Sequence, residues 1–325
     1  MKKMGMLING KLVDNWLEKE IEEGDFKRME STFRHWVTND GSSEFAAEAN
    51  RYHLYVSDAC PWAHRTVIFR KLKKLENVIG LSVVEADMFD DGWTFEKQGK
   101  YSDELYGVRF MHEIYTRANK TFTGQITVPV LWDKKLNTIV NNESSEIIRM
   151  LNSAFNEFTD VKTDYYPQVL RDKIDKINQP IYENINNGVY RCGFATSQDA
   201  YNKAFDRLFN ELNTVESILS KQKYLAGNEI TEADWRLFTT LIRFDAVYVG
   251  HFKCNLKRIS DYPNLSNYVR ELYQIDGIAQ TVDIEYIKRH YYVSHTSVNP
   301  TQLIPRGPEL DFTTAHDRDE KFGDE

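Results

Sequence analysis

The spacing of apolar residues differs between the two halves of the chain. Residues 52–56 (YHLYV) form a short β-branched and aromatic run, which is typical of a strand. The next segment carries apolar side chains at helical spacing, namely Ile68, Leu72 and Leu75. Further strands are predicted for residues 81–86, 127–132 and 138–140. This order of strands and helix predicts one α/β domain over residues 51–155.

The second half of the chain has helical periods throughout. One predicted stripe of apolar side chains comprises Leu170, Ile174, Ile177, Ile181 and Ile185. Pro180 is expected to kink this helix. Residue types that start helices follow at Thr196 or Ser197, at Thr231 and at Pro263. Residues 160–285 are therefore predicted to form an all-α bundle, so that the fold class is α/β followed by all-α.

The two ends of the chain lack a regular period. Residues 1–50 are polar with scattered aromatic residues, and we expect an extended arm that contacts the rest of the protein through those rings. An arm between subunits is the alternative, and the sequence does not decide between them. The aromatic residues of this arm are Trp16, Phe26, Phe33, Trp36 and Phe45. Residues 286–325 are expected to form an ordered coil that ends in a solvated, frayed tail with the sequence HDRDEKFGDE.

One cysteine stands between a predicted strand and a predicted helix. Pro61 suits the first helical position, because proline has a fixed φ and lacks an N–H. Cys60 is therefore placed at a helix N-terminus, where unpaired N–H groups and the helix dipole favour the reactive thiolate over the thiol. Position 63 is alanine, so the segment lacks the second cysteine of a dithiol motif. A mixed disulfide at Cys60 then needs an external thiol, for which glutathione is the obvious cytosolic candidate.

Composition narrows the class of protein. Three cysteines in 325 residues are too few for a disulfide framework and are typical of a reducing compartment. Cys192 and Cys254 lack the strand–turn–helix context of Cys60, and we expect them to be buried and inert. The net charge of −8 offers no basic surface to nucleic acid or an anionic membrane, and no apolar run approaches a membrane span. We therefore expect a cytoplasmic, soluble protein. We expect no metal site, because the eight histidines show no metal-ligand spacing.

Two further segments are candidates for binding a short peptide such as glutathione. Pro129 does not suit a central strand, so we expect an edge strand with a cis Val128–Pro129 bond. Such a bend would leave the N–H and C=O of Val128 open to strand addition. Glu143 and Ser144 begin the next helix, and ordinary capping is one interpretation of them. The other is that helix N–H groups bind the carboxylate, and Glu143 the ammonium, of a γ-glutamyl group.

A long irregular passage, residues 87–127, contains the sequence DGWTF. A connection of this length inside a compact domain is usually functional or contains short helices of its own. The indole of Trp93 could stack on a ligand or fill the core, and its surroundings in the sequence favour neither.

These segments together resemble a cytosolic glutathione transferase, with a bundle that includes the sequence LAGNEITEADWRLF. Longer strings resemble one branch of that family, the glutathionyl-hydroquinone reductases or Xi-class glutathione transferases. The resemblance extends from about residue 5 to residue 308. It is carried by CPWAHRT, DGWTF, TVPVLWDKK, NESSEIIRM, NNGVYRCGFATSQ, RFDAVYVGHFKC and HYYVSHTSVNPT.

The resemblance implies a thioredoxin-like N-terminal domain followed by a glutathione-transferase-type helical bundle, usually as a homodimer. It also implies an activity on glutathionyl-hydroquinones. In that family a cysteine attacks the glutathione sulfur of the conjugate, the hydroquinone leaves, and a second glutathione releases the enzyme as oxidised glutathione forms. The lone thiol at Cys60 fits this scheme, since each turnover needs an external thiol.

Carried over by position, the resemblance implies that Cys60 is the nucleophile and Tyr190 the proton donor to the leaving hydroquinone carbon. Tyr248 and Tyr291 match tyrosines near the cysteine, where hydroxyl donors would favour the thiolate. The implied contacts with glutathione are Trp93, Gln125, Val128, Glu143 and Ser144. Packing is the alternative role for each tyrosine, because the chain has 18 of them.

One departure from the family pattern concerns the glycyl carboxylate of glutathione. Many relatives have an arginine just before the Thr-Val-Pro segment or one helix earlier. This chain has Gln125 and His112 at those places, with Arg109 and Arg117 close by in the sequence. The residue that binds this carboxylate therefore stays open.

Two functions of other kinds compete with the reductase. An Omega-like thioltransferase or dehydroascorbate reductase would share the cysteine and the fold, but disulfide exchange needs no proton donor to carbon. A non-enzymatic interaction module would need neither the cysteine nor the Val-Pro and Glu-Ser segments. A conjugating transferase is disfavoured, because such enzymes usually activate glutathione with Tyr or Ser, whereas a cysteine would trap it as a disulfide.

Overall fold

The computed structural model describes residues 5–13 and 21–323, which divide into two compact units. The first unit comprises Arg28–Thr163, Glu285–Thr296 and the described part of Met1–Glu20. The second unit comprises Ile21–Lys27, Asp164–Ile284 and the described part of Ser297–Glu325. Trp16 lies outside the described residues. Within the described ranges, no helix is both long and apolar enough to cross a membrane.

The first unit is built on a four-stranded sheet. In chain order the strands of the protein are β1 (Met6–Ile8), β2 (Lys11–Val13), β3 (Ile21–Glu22), β4 (Asp25–Phe26), β5 (Tyr52–Val56), β6 (Gly80–Val83), β7 (Gly124–Gln125), β8 (Val130–Asp133) and β9 (Thr138–Asn141). The main sheet has the order β6-β5-β8-β9, in which only β5 and β6 are parallel. Every residue of β5 is buried, as expected for an interior strand that is covered on both faces.

Helices make up most of the second unit. In the first unit, other helices flank the sheet. In chain order they are α1 (Pro61–Leu72), α2 (Met111–Ala118), α3 (Ser144–Ser153), α4 (Arg171–Ile181), α5 (Gly188–Phe194), α6 (Gln198–Leu219), α7 (Glu232–Arg243), α8 (Pro263–Gln274), α9 (Ile284–Ser294) and α10 (Arg318–Phe322). In the first unit, α1 packs against α3. The sheet and helices together confirm the predicted fold class.

The Val128–Pro129 peptide bond is cis, as predicted, but the predicted edge position is wrong. Strand β8 begins one residue after the proline and pairs with β5 on one side and β9 on the other. Because Pro129 lies just before the strand, its missing N–H interrupts no ladder hydrogen bond.

Part of the expected N-terminal arm forms strands. β1 and β2 form a hairpin, and β1 also pairs with β7. The ring of Phe33 stacks on that of Phe122, with 5.5 Å between centroids, and Phe45 is buried. These two rings anchor the segment as predicted, whereas Trp36 is 40% exposed and does not.

The helix starts predicted for the second unit are confirmed. The Ser197 hydroxyl accepts a hydrogen bond from the Ala200 N–H at the start of α6. A capping box at Thr231 precedes α7, and Pro263 is the first residue of α8. Pro180 lies inside α4, and a π-helical turn, Tyr182–Asn186, follows that helix directly.

The prediction of coil after residue 285 is wrong in two places. Helix α9 occupies the first part of this region, and its buried face includes Tyr286, His290 and Ser294. These residues are four apart, as in a helix. Because their side chains carry polar groups, the pattern of apolar residues in the sequence does not show this helical period. The tail is also ordered in part, because Arg318 at the start of α10 is 1% exposed and bonds to Glu271.

Candidate active site

Cys60 caps the N-terminus of α1. Its carbonyl accepts the hydrogen bond of the His64 N–H, and Pro61 occupies the first helical position as predicted. The side chain is half-buried, and in its thiol form the Sγ donates to the Val128 carbonyl oxygen 3.5 Å away. A half-buried thiol thus lies at a helix N-terminus, where the helix dipole favours the thiolate, beside the backbone segment that is predicted to bind a peptide.

The Val128 backbone differs in one respect from the expectation. Its carbonyl oxygen is not left open, because it faces the Cys60 Sγ. No hydrogen-bond partner of its N–H is found among residues 5–13 and 21–323, so this group fits the predicted pairing with a peptide. Gln125 lies in β7 opposite Met6 and is half-buried.

Glu143 is the N-cap of α3, so the capping interpretation is correct. Its carboxylate accepts hydrogen bonds from the N–H and the hydroxyl of Ser145, at 3.0 and 2.8 Å, and from the Ser31 hydroxyl at 3.2 Å. Burial opposes ionisation of Glu143, but the bonds from Ser145 and the charge of Arg65 outweigh it and hold its pKa below the usual value. The carboxylate is therefore ionised at neutral pH, as ammonium binding requires.

Ser144 connects this helix start to α1 through a buried arginine. Arg65 is 1% exposed and donates to the Ser144 hydroxyl oxygen at 3.4 Å. Its guanidinium also lies 4.5 Å from the ring centroid of Trp62, and that of Arg28 lies 5.0 Å from the same centroid. Sequence reasoning missed Arg65, although its position in CPWAHRT, five residues after Cys60, was the available signal.

Trp93 is largely buried, with 8% of its surface exposed. Its indole stacks on the imidazole of His290, with 4.9 Å between centroids and 17° between planes. Tyr291, from the same helix α9, is 1% exposed and meets His290 and His295 edge-on. The structure therefore brings the segments of Trp93 and Tyr291 together, and His290 is the connecting residue that sequence reasoning missed.

Tyr190 and Tyr248 belong to the second unit, where they are neighbours. Their ring centroids are 6.1 Å apart, and both rings pack on Phe252 at 5.4 and 5.5 Å. Phe194 and Phe26 complete this aromatic cluster around Tyr190. The segments NNGVYRCGFATSQ and RFDAVYVGHFKC thus contact each other in the second unit through these rings.

The other two cysteines, and two residues considered for the glycyl carboxylate, pack against neighbouring groups of the protein. Cys192 and Cys254 are buried, as predicted, and burial raises the pKa of the Cys254 thiol well above its ordinary value. Arg117 stacks on Tyr106, and the ring of His112 stacks on that of Phe110. No group of three or more potential metal ligands occurs in the part of the chain that the structure describes.

Comparison with known proteins gives consistent matches. The glutathione S-transferase N-terminal domain family matches residues 59–154, and the C-terminal domain family matches residues 198–271. The chain is 51% identical, over 98% of its length, to the full length of glutathionyl-hydroquinone reductase YqjG from Escherichia coli. It is 49% identical to glutathionyl-hydroquinone reductase PcpF from Sphingobium chlorophenolicum, over 94% of this chain and 96% of that one.

Solved structures agree with the sequence matches. The glutathione-bound structure of Escherichia coli YqjG superimposes with a TM-score of 0.89 at 49% identity, over 98% of this chain and 100% of that chain. A Xi-class glutathione transferase from Natrialba magadii gives a TM-score of 0.93 at 49% identity, over 98% of both chains.

The fold, the cysteine at the N-cap position of α1 and the two matched domain families define a glutathione transferase. Within that class, the chain belongs to the glutathionyl-hydroquinone reductase family, also called the Xi class.

Proposed function

We propose that this enzyme reduces S-glutathionyl-hydroquinones to hydroquinones at the expense of glutathione. The observation that carries the proposal is a lone thiol at the N-terminus of α1, facing the Val128 carbonyl, in a chain 51% identical to a reductase of this kind. A lone thiol suits a reaction in which the resolving thiol comes from solution.

The reaction has two steps that balance. The Cys60 thiolate attacks the glutathione sulfur of the conjugate, the carbon–sulfur bond breaks with its electrons going to the ring carbon, and that carbon takes up a proton. This step releases the hydroquinone and leaves a Cys60–glutathione mixed disulfide. A second glutathione, as thiolate, then attacks the glutathione sulfur, so that oxidised glutathione leaves and the Cys60 thiolate returns.

The residues implied by the resemblance take the following roles in this proposal. Tyr190 donates the proton to the leaving carbon, and the hydroxyl groups of Tyr248 and Tyr291 favour the thiolate. Trp93, Gln125 and Val128 contact the glutathione backbone, while Glu143 and Ser144 bind its γ-glutamyl end. The ionised carboxylate of Glu143, with its lowered pKa, supports the last assignment.

The test is turnover of glutathionyl-menadiol with excess glutathione, following free hydroquinone and oxidised glutathione. We expect Cys60→Ser to abolish turnover and Tyr190→Phe to slow it by about 10²- to 10⁴-fold, as is usual for loss of a general acid. Tyr182→Phe, which removes a 36% exposed phenol from the same unit, is the matched control and should retain wild-type activity.

The same assay separates the alternatives. Thioltransferase or dehydroascorbate reductase activity without hydroquinone release would reject the reductase and leave the Omega-like function. A folded protein that is inactive on all of these substrates would leave the interaction module. Full activity of Tyr190→Phe would reject only the assignment of the proton donor.

Assembly and location are further parts of the proposal. We expect a cytoplasmic homodimer, because glutathione is the abundant thiol of reducing compartments and the family is usually dimeric. Sedimentation velocity at micromolar concentration should give the mass of two 38.1 kDa chains, and a monomer would contradict the expectation.

A further inference from the structure

Helix α9 is hydrogen-bonded to residues 84–88 once per turn. The three contacts are the Tyr286 hydroxyl to the Val84 carbonyl at 2.5 Å, His290 Nδ1 to the Ala86 carbonyl at 2.7 Å, and the Met88 N–H to the Ser294 hydroxyl at 2.9 Å. We call this set of six residues the α9 clamp. An ion pair between Arg289 and Asp87 lies beside it.

The helix residues of the α9 clamp are four apart, so they lie on one face of α9. Successive turns of the helix therefore contact the segment at Val84, Ala86 and Met88.

The middle contact of the clamp connects to Trp93. A carbonyl oxygen only accepts, so His290 Nδ1 carries the proton that bonds to Ala86. This bond fixes the plane of the imidazole, because rotation about its χ2 angle would break it. The fixed imidazole lies against the indole of Trp93 at a 17° interplanar angle, and both rings are at least nine-tenths buried.

The backbone of Trp93 is tied to the same segment. The Glu85 N–H donates to the Thr94 carbonyl at 2.8 Å, and the Thr94 hydroxyl donates to the Glu85 carboxylate at 2.7 Å. The Trp93 carbonyl accepts from the Met111 N–H at 2.9 Å. The backbone of Trp93 is thus held on both sides, and the His290 imidazole packs against the face of its indole.

We propose that His290 is a positioning residue that holds the Trp93 indole in the orientation needed to contact glutathione. The inference rests on the proposed function only in taking Trp93 as a glutathione contact. His290 acts through Trp93 and takes no part in the chemistry at Cys60. Loss of its ring should therefore weaken binding of the glutathionyl group without slowing turnover at saturation.

The first readout needs no glutathione. Incorporation of 5-fluorotryptophan gives one ¹⁹F resonance for each of the six tryptophans, and Trp93→Phe assigns the resonance of Trp93 by its loss. We expect His290→Ala to shift or broaden this resonance in the free protein, because the stacked ring is gone. His290→Phe should keep a ring against the indole and so keep a sharp resonance.

The second readout is steady-state kinetics with glutathionyl-menadiol. We expect His290→Ala to raise KM for the conjugate and for glutathione by about three- to tenfold, the range for one lost aromatic contact, with kcat within twofold. His290→Phe should restore most of the affinity, whereas His290→Asn, which keeps a donor near Ala86 but no ring, should not. The matched control is Arg289→Ala, which removes the neighbouring ion pair with Asp87 but leaves both the stack and the bond of His290 to Ala86.

The outcomes separate this inference from the proposed function. An unchanged KM in His290→Ala and His290→Asn, or an equal rise in Arg289→Ala, would overturn the positioning role. A shifted Trp93 resonance with an unchanged KM in Trp93→Ala would also overturn it, because the indole would not contact glutathione. The reductase activity itself is tested separately, by the loss of turnover in Cys60→Ser. If His290→Ala does not fold, the comparison of His290→Phe with His290→Asn decides the question.

Discussion

At the scale of single residues, the start of α3 serves as both a cap and a charged site. One Glu143 carboxylate oxygen accepts from Ser145 and the other from Ser31. A carboxylate has about four lone-pair positions, so these bonds leave capacity for an ammonium group. Capping and ligand binding are therefore compatible at this position, although the sequence presented them as alternatives.

We expect Glu143→Gln to raise KM for glutathione by about ten- to a hundredfold, the usual range for a lost charge-assisted hydrogen bond. Glutamine keeps an oxygen that can accept from Ser145, so the change removes mainly the charge. Glu146→Gln removes a carboxylate from the same helical turn and should leave KM near that of the wild type. Equal effects of the two substitutions would contradict a specific ammonium contact.

The pH dependence of glutathione binding follows from the lowered pKa of Glu143. A carboxylate whose pKa is lowered in the folded protein makes its full favourable contribution at any pH above its unfolded-state pKa. This contribution is lost as the pH falls through the folded-state pKa, because the group is then protonated. We therefore expect KM for glutathione to be flat between about pH 5 and pH 7 and to rise only below the ordinary carboxylate range. Stopped assays across this interval test the expectation, and a rise centred above pH 5 would contradict it.

At the scale of elements, a glycine in α5 makes room for the aromatic cluster around Tyr190. A Cβ added at Gly193 would lie 2.1 Å from a ring carbon of Phe252, which packs on both Tyr190 and Tyr248. A Cβ at Gly188, in the same helix, would lie at an ordinary 3.7 Å from Leu208. Glycine is thus required at one of these two helical positions by a close approach.

We expect Gly193→Ala to displace the Phe252 ring, with an overpacking cost of about 1–3 kcal/mol, and to reduce kcat for hydroquinone release. Gly188→Ala is the matched control and should be neutral or stabilising by up to about 1 kcal/mol, because alanine favours the helix. Urea unfolding and turnover of both variants test this pair. Equal stability of the two would show that the Phe252 ring yields without cost.

At the scale of the whole molecule, the C-terminal segment is part of the helical unit. Arg318 is 1% exposed, bonds to Glu271 at 2.6 Å and donates to the Lys223 carbonyl. Glu271 also accepts from the Tyr224 hydroxyl at 2.7 Å. Three sequence-distant segments of the second unit therefore meet at one buried ion pair.

We expect Arg318→Met to destabilise the protein by about 3 kcal/mol, because it removes the buried cation of Glu271 and leaves that carboxylate with the Lys223 ammonium 3.6 Å away. Arg258→Ala, which breaks an exposed pair with Asp261, should leave the urea midpoint unchanged within error. A midpoint for Arg318→Met equal to that of the wild type would show that the tail is not anchored.

The sequence alone determined the features that local chemistry fixes: the α/β and all-α order, the place of Cys60 at the N-terminus of α1, and the helix starts at Thr231, at Pro263 and at Thr196 or Ser197. Each depends on residue types within a few positions, so a short window contains the cause. The resemblance to the glutathionyl-hydroquinone reductases likewise rests on contiguous segments of the sequence.

Only the tertiary structure decided the rest. The interior position of β8, the burial of Arg65, the stack of His290 on Trp93 and the anchoring of Arg318 all depend on partners far away in the chain. Polar residues that are buried by distant partners look the same in the sequence as solvated ones. Their roles become visible only when the fold supplies the carbonyl, carboxylate or ring that each one contacts.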